Sequence, residues 1–446
     1  MLRLLTRWCL FALLSGCTLQ IIGEEPKVKL AEVIPPDGTT WDMLPPIQPA
    51  ADDWPYWRGP TADNIAAEPQ DPPLHWSDKE NIVWKADVPG RGHGSPTIWG
   101  NRIFLPTSDE QLETQSLLCY ERRTGKLLWR TEIHRGGFMH MHSKNSQASS
   151  TAACDGSHVF ITFMIQDWVW LTSLDLDGKI VWQKKLLPFQ SFHGYGPSPL
   201  LYKSLVIVPG DNPGYNYMAA VRRDSGEVAW LIHRTDYQSF ASPIVGHVCG
   251  RDQLLVNGPL EVSSYDPNTG KRLWHCDGPS KEAATTVAFG KELVYATSGF
   301  PARHLLCIRA DGSGDVTKTH VVWQMKNKAS FVPSPLLREG LLYLVNDGGE
   351  IMCMEAETGK MVWKDRLDGG FSASPVLAGG NIFVPNEAGV TYVLKAGRAF
   401  RIVAKNDLAD GGFATPIICG SRIYLRTSHH LYCIGKPTAQ SQHSPQ

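Results

Sequence analysis

The sequence predicts an all-β fold, an eight-bladed β-propeller of four-stranded blades, on three observations. One phrase recurs: a turn Gly, then Lys or Glu, two mostly apolar residues and Trp. It reads Gly125-Lys126-Leu127-Leu128-Trp129 and returns ending at Trp182, Trp230, Trp274 and Trp363, with degenerate copies at Trp84 and Trp323. An eighth copy runs from Gly397 to Arg401, where Arg stands in the Trp slot. The tryptophans lie roughly 40–53 residues apart, the period of a four-stranded blade. A second phrase keeps the same beat: Ser95-Pro96, Ser198-Pro199, Ser242-Pro243, Ser334-Pro335, Ser374-Pro375 and Thr415-Pro416, with looser versions at Ser149–Thr151 and Thr285-Thr286. The third observation is a permutation of the ends. The first Trp strand precedes the first Ser-Pro strand, and no Trp strand follows Ile434, so an N-terminal strand completes the last blade and removes the open sheet edges.

Each unit supplies its strands in a fixed order. The Ser-Pro phrase opens the first. A short apolar run such as Arg102–Pro106, Leu205–Pro209 or Leu341–Val345 is the second, and one such as Leu117–Glu121, Leu305–Arg309 or His430–Ile434 is the third. A turn of Asp, Thr, Asn and Gly then leads into the Trp strand.

The chain of 446 residues would divide into about three domains on length alone, but the repeat makes residues 52–436 one domain. Basic and acidic residues nearly cancel, 43 against 44, with no Lys/Arg-rich run, which argues against nucleic acid as a partner. Arg3 and Arg7 flank the short apolar run Trp8–Leu14, too short for a membrane span and suited to a secretory signal. Leu14-Ser15-Gly16-Cys17 closes it and resembles the bacterial lipobox, which marks residues 1–17 as a lipoprotein-type signal and Cys17 as the lipidated residue. Residues 18–51 are rich in Pro and polar residues and read as a flexible tether; residues 437–446 read as a disordered tail.

Ten cysteines in an exported chain invite disulfides, yet Cys119, Cys307, Cys353 and Cys433 fall at matching points of four blades, and Cys154, Cys249 and Cys419 at matching points of three. Repeat-equivalent positions are displaced round a ring, too far apart to bridge, so these are expected as small buried apolar side chains. A pair between non-equivalent positions, one involving Cys276 for instance, stays open. No Cys-x-x-Cys, phosphate loop, Gly-x-Ser-x-Gly or His-Glu-x-x-His is present. Asp175-Leu176-Asp177-Gly178 and Asp311-Gly312-Ser313-Gly314-Asp315 look like calcium loops but lack the full ligand spacing and are expected as turns.

The Ser-Pro and Gly-Lys-x-x-Trp strands, over about residues 81–436, resemble the propeller family named for pyrroloquinoline quinone (PQQ). That family includes quinoprotein alcohol dehydrogenases and the lipoprotein BamB of outer-membrane assembly. The resemblance specifies fold more than function, because Trp and the turn Gly are blade-packing residues. In the family's dehydrogenases an adjacent-Cys disulfide and a Trp sandwich the quinone, and Glu, Asn and Asp bind calcium. This chain has no Cys-Cys pair, so no cofactor is expected, with PQQ plus calcium kept as the alternative. Asp53-Trp54-Pro55-Tyr56-Trp57-Arg58-Gly59-Pro60 resembles an opening motif of exported propellers of planctomycete-type bacteria and is expected to cap one end of the ring.

One departure from the repeat carries chemistry. The long connection Gly136–Ser146 and its counterparts precede first strands and are expected to line the channel mouth. They bring His93, His140, His142, Lys144, Asn145, His193, Tyr195 and Tyr237, with Gln238, Lys328, Phe371 and Phe413, to one funnel. That set suits an anionic ligand, and His140, His142 and His193 are candidate ligands for a divalent metal; the competing reading is that they only fill the mouth and bond loop carbonyls. No nucleophile and base pair stands out. The expectation is an exported, lipid-anchored, monomeric binding or scaffold protein that contacts envelope proteins or an extracytoplasmic ligand through Lys184–Gly196 and Gly210–Tyr217. The alternative is a PQQ- or metal-dependent oxidoreductase with its site in the funnel.

Overall fold

The computed structural model describes residues 29–234, 237–278, 280–327 and 329–436. Eight sheets follow one another round a ring, with no helix among the described residues. Blade 1 shows the plan. Thr97–Trp99 lines the channel, Arg102–Asp109 and Thr114–Glu121 are buried almost throughout, and the outer Leu127–Arg135 is largely accessible. Middle strands are apolar on both faces because each blade packs between two others. Blade 8 combines Ile417–Cys419, Arg422–Arg426 and His430–Ile434 with Ile82–Asp87, which pairs antiparallel to His430–Ile434. The ring closes as the permuted ends predict.

The Trp phrase acts between blades. A register shift lies beside the Trp slot in every blade, and such a bulge re-aims a side chain out of the strand's alternation. Trp84, Trp129, Trp182, Trp230, Trp323 and Trp363 each donate their indole N–H to a turn carbonyl of the next blade, at 2.9–3.2 Å. The turn Gly lies beneath the ring. Gly125 has φ 73°, and a Cβ there would stand 2.5 Å from the Trp84 ring, so both conformation and space demand glycine. Trp274 departs from the rule, donating to Gln253 Oε1 of its own blade at 2.7 Å, where the excursion from blade 5 adds Gly314–Asp315 as a fifth, parallel strand.

Blade 7 corrects the sequence reading. Val393 pairs with Ala404 as Cys353 pairs with Trp363, so the slot holds Ala404 rather than Arg401. The indole is supplied by Trp76, which stacks on Phe383 with centroids 6.3 Å apart, matching Tyr343–Trp363 at 6.1 Å and Tyr295–Trp323 at 6.2 Å. Asn406 Oδ1 anchors the residue by accepting from the Trp76 main-chain N–H at 3.0 Å. Blade 8 has no hairpin turn before its outer strand, and the buried Trp76 Nε1 accordingly has no partner among the described residues.

The segment 29–51 is also corrected: it is docked rather than free. Leu30 N–H donates to Tyr217 Oη at 3.0 Å beside the end of blade 3's outer strand, and Val33 and Leu231 exchange backbone hydrogen bonds of 2.9 Å. The chain then turns under the ring. Trp41 donates to Asn268 O at 2.8 Å, Asp42 pairs with Lys203 at 3.0 Å, and Pro45 O accepts from Arg223. A segment without apolar periodicity shows no fold of its own in the sequence, because its partners are carbonyls and turns far away in the chain. Residues 18–28, the signal with Cys17, and the tail 437–446 lie outside the described residues.

All eight described cysteines are free thiols, and all but Cys249 are buried. The two Asp-Gly segments are turns: Asp175 Oδ1 accepts from the N–H of Asp177 and Lys179 at 3.0 and 2.9 Å, and Asp311 pairs with Arg309 at 2.8 Å.

Candidate functional site

The Ser-Pro phrase builds a belt round the channel. The N–H of Ser95 donates to Thr151 Oγ1, Thr151 to Ser198, Ser198 to Ser242, Thr286 to Ser334, Ser334 to Ser374 and Ser374 to Thr415, at 2.9–3.0 Å. At six of the eight periods a hydroxyl thus satisfies a backbone donor of the blade before it, and except after Thr151 and Thr286 a Pro follows with no donor to satisfy. The signal was present in the sequence as eight Ser or Thr residues in phase, but their connection from blade to blade was not read from it.

The belt has two gaps: among the described residues the buried Ser95 hydroxyl has no partner, so the belt does not link blade 8 to blade 1, and between blades 4 and 5 the capping segment enters. Trp57 donates its indole N–H to Thr286 Oγ1 at 2.9 Å, and that hydroxyl turns to Ser242 O at 3.2 Å. Around Trp57 the segment is pinned under the channel: Trp54 exchanges hydrogen bonds with Ile98, Pro55 O accepts from Cys154 N–H, and Asn64 Nδ2 donates to Pro375 O. Arg58, fully buried, donates to Ala62 O at 3.0 Å and Pro335 O at 3.0 Å. Burial without a carboxylate partner lowers its pKa to about 10.

Above the belt is a cavity of about 520 Å³, lined by Trp57, Phe240, Phe331, Phe413, six belt hydroxyls and a set of charged side chains. It opens on the face that carries the connections before each first strand and those between second and third strands. Glu387 is shared by Lys144 Nζ at 3.0 Å and Ser372 Oγ at 2.7 Å, a bond that carries the blade 1–2 connection across to blade 7. Asp347 accepts the N–H groups of Phe331 and Val332 at 3.0 and 3.2 Å, and Glu282 accepts from Gln238 at 3.2 Å. Arg303 lines the same cavity; its carbonyl accepts from Asn327 N–H at 2.7 Å, while its guanidinium has no hydrogen-bond or ion-pair partner among the described residues.

Of the eight residues expected at the mouth, the structure brings His93, His142, Lys144, Asn145 and His193 into the cavity wall. His93 lies over Phe413 with ring centroids 4.4 Å apart. Burial, then the charges of Arg426 and Arg91, lower its pKa to about 3, so it is a neutral imidazole. His142 and His193 have centroids 5.6 Å apart, and Asn145 Nδ2 donates to His193 O at 2.6 Å, tying two mouth connections together. Three residues are placed elsewhere. His140 turns outward against Phe192, centroids 5.2 Å apart. Tyr195 is buried between blades, donating to Pro209 O at 3.0 Å and meeting Phe189 edge-on. Tyr237 points to solvent. The candidate metal trio is therefore not assembled: no three His, Cys, Asp or Glu side chains among the described residues form a group able to hold a metal ion. Lys328 lies outside the described residues. Sequence reasoning missed Trp57, Glu282, Arg303, Asp347 and Glu387; three of these come from connections between second and third strands, which also reach the mouth.

The profile of the family described as outer membrane protein assembly factor BamB, built of PQQ-type repeats, matches residues 113–319 and 314–428. The chain belongs to this family. Among solved structures, BamB from Moraxella catarrhalis aligns with TM-score 0.57 at 14% identity over 79% of this chain and 99% of its own. Quinohemoprotein alcohol dehydrogenase from Comamonas testosteroni aligns with TM-score 0.63 at 12% identity over 89% of this chain and 82% of its own. The computationally designed Ika8 protein aligns with TM-score 0.57 at 11% identity over 79% and 100%. At these identities the likeness to the solved structures is one of fold. No curated protein sequence matches.

The residues of this BamB-type funnel do not fit the calcium and quinone pair of the family's dehydrogenases. Trp57 offers one aromatic face. Opposite it there is no adjacent-Cys disulfide, and the three carboxylates come from separate connections, each already bonded to an N–H, hydroxyl or ammonium donor.

Proposed function

We propose that the protein is an exported, lipid-anchored binding or scaffold protein of the bacterial cell envelope, with no catalytic activity of its own. The observation that carries this reading is the cavity's chemistry: about 520 Å³, closed below by Trp57, with fixed aromatic and charged groups but no nucleophile held by a base. Five of its belt hydroxyls are committed to backbone donors and the sixth, Thr286, to the Trp57 indole, and the one hydroxyl bonded to a carboxylate, Ser372, shares that carboxylate with Lys144. Membership of the BamB-type family supports envelope proteins as partners, and an extracytoplasmic ligand suits the funnel. The anchor rests on Cys17, and the chain is expected to act as a monomer.

The competing oxidoreductase reading draws on the fold likeness to the quinohemoprotein and on Trp57. Titration of the purified protein with PQQ, with and without calcium, separates the two, following quinone absorbance and thermal stability. No saturable binding at high micromolar PQQ is the expected result. Saturable binding with a raised melting temperature, lost in Trp57→Ala, would overturn the binding-protein reading.

A further inference from the structure

The described chain begins at one particular place on the ring. Leu30 sits beside the last residues of Val228–His233, the outer strand of blade 3, with its carbonyl 3.3 Å from His233 Nε2. That strand end leads into the connection before blade 4's first strand, so it lies on the face where the cavity opens. From there the chain runs down the edge of blade 3 and under the ring. Whatever precedes Leu30 therefore departs from the rim of the mouth.

The same face carries exposed apolar side chains at the tips of its connections. Leu112, Phe192, Tyr237, Leu260, Phe300 and Val332 are 36–63% exposed, and they are spread over blades 1 to 6 round the mouth. Each alone is ordinary for a protein surface, but six on the loop tips of one face can enter an apolar interface together when that face is held against one. Of the remaining exposed apolar residues, Val33, Ile34 and Met43 lie on the N-terminal segment at the edge of blade 3 and beneath the ring, and the others, such as Leu128 and Val181, stand on outer strands at the circumference.

We propose that the mouth face is the membrane-facing side of the protein, with these loop tips resting in the interface of a lipid surface. The inference rests on the anchor reading of Cys17. Twelve residues lie between Cys17 and Leu30, a leash of at most about 45 Å when fully extended, which starts at the mouth rim and lets that face settle on the bilayer. Turning the opposite face to the membrane would send the leash back along the edge of blade 3, where residues 30–33 already lie against Leu231. Phe and Tyr side chains at loop tips suit the headgroup region, where an apolar body and a polar neighbourhood are both met. The cavity then opens toward the membrane, and its ligand is delivered from the bilayer surface or by a partner held there.

The test uses the full lipoprotein in vesicles of phosphatidylethanolamine and phosphatidylglycerol. In a Cys249→Ser background, an environment-sensitive fluorophore is attached at Phe192→Cys, Phe300→Cys or Val181→Cys, and nitroxide-labelled lipids are used as quenchers. Acylation is followed separately by labelled fatty acid in the wild type and Cys17→Ser. The expected result is acylation at Cys17 with blue-shifted, quenched emission at positions 192 and 300 and none at 181. Quenching at 181, or at no position, in an acylated protein would overturn the orientation while leaving the anchor intact. Absence of both acylation and quenching would overturn the orientation and the anchor together. Quenching at 192 and 300 without acylation would support the lipid-facing surface and remove the anchor.

Discussion

The two ends of the channel are built on opposite principles. Below, the capping segment and the belt are buried, and backbone groups are the partners of Arg58 on Pro335, Asn64 on Pro375 and Ser198 on the N–H of Thr151. Above, the Arg303 guanidinium is unpaired among the described residues, Phe192 is 63% exposed, and the bond between Lys144 and Glu387 spans two distant blades. The lower end follows the repeat and holds the ring together. The upper end departs from the repeat, and its groups contribute little to stability as they stand, which leaves them free to meet something else.

If that contrast is right, the largest losses follow changes below or between blades. Trp76→Ala empties the slot that blade 7 cannot fill itself, and should cost about 3–5 kcal/mol, read as a shifted denaturant midpoint. Ala404→Trp should not rescue it, because blade 8 offers no hairpin turn to receive the indole. A loss below about 1 kcal/mol in Trp76→Ala would show that the stacking on Phe383 is incidental. Gly125→Ala comes next, combining a strained φ with a Cβ 2.5 Å from the Trp84 ring, and should cost about 2 kcal/mol or more.

A pH titration sharpens the comparison from the mouth. The folded state holds His93 neutral with a pKa of about 3, against 6.5 for an ordinary histidine. Between those values the unfolded chain binds a proton that the folded chain refuses, so stability rises with pH across the window and is flat above it. Acidification from pH 6.5 toward 3 should therefore lower unfolding free energy by at most about 1.4 kcal/mol per pH unit from this group. His93→Phe, which keeps the contact with Phe413, should reduce that slope; an unchanged slope would assign it to other groups. Asp410, where burial raises the carboxyl but hydrogen bonds from Thr427, His430 and His429 together outweigh it and hold the group below its ordinary value of 3.8, adds a loss in the same direction at still lower pH.

The ring was legible in the sequence because every blade repeats the same contacts, so the Trp and Ser-Pro phrases recur in phase. The N-terminal segment was not legible for the converse reason: Trp41, Trp57 and Trp76 each meet a different blade, and nothing in their spacing declares which. At the mouth, His142 and His193 line the cavity, as their position along the connections leads one to expect. Side-chain direction then separated them from Tyr195, two residues beyond His193, which turns inward to Pro209. Such directions depend on turn geometry that no periodic pattern fixes.

The smallest effects should come from the mouth's charges, and they test the contrast most directly. Lys144→Ala removes an ion pair whose lysine is well exposed, and such pairs contribute about 0–1 kcal/mol. Arg303→Ala removes no pair at all and should change stability by less than about 0.5 kcal/mol. Because the Arg303 guanidinium is the cavity's uncommitted cation among the described residues, the same variant should weaken capture of an anionic ligand while its unfolding curve stays superimposable on the parent's. An Arg303→Ala chain that is markedly less stable would mean that the guanidinium already has work to do within the fold, and the mouth would then be no different in kind from the closed end.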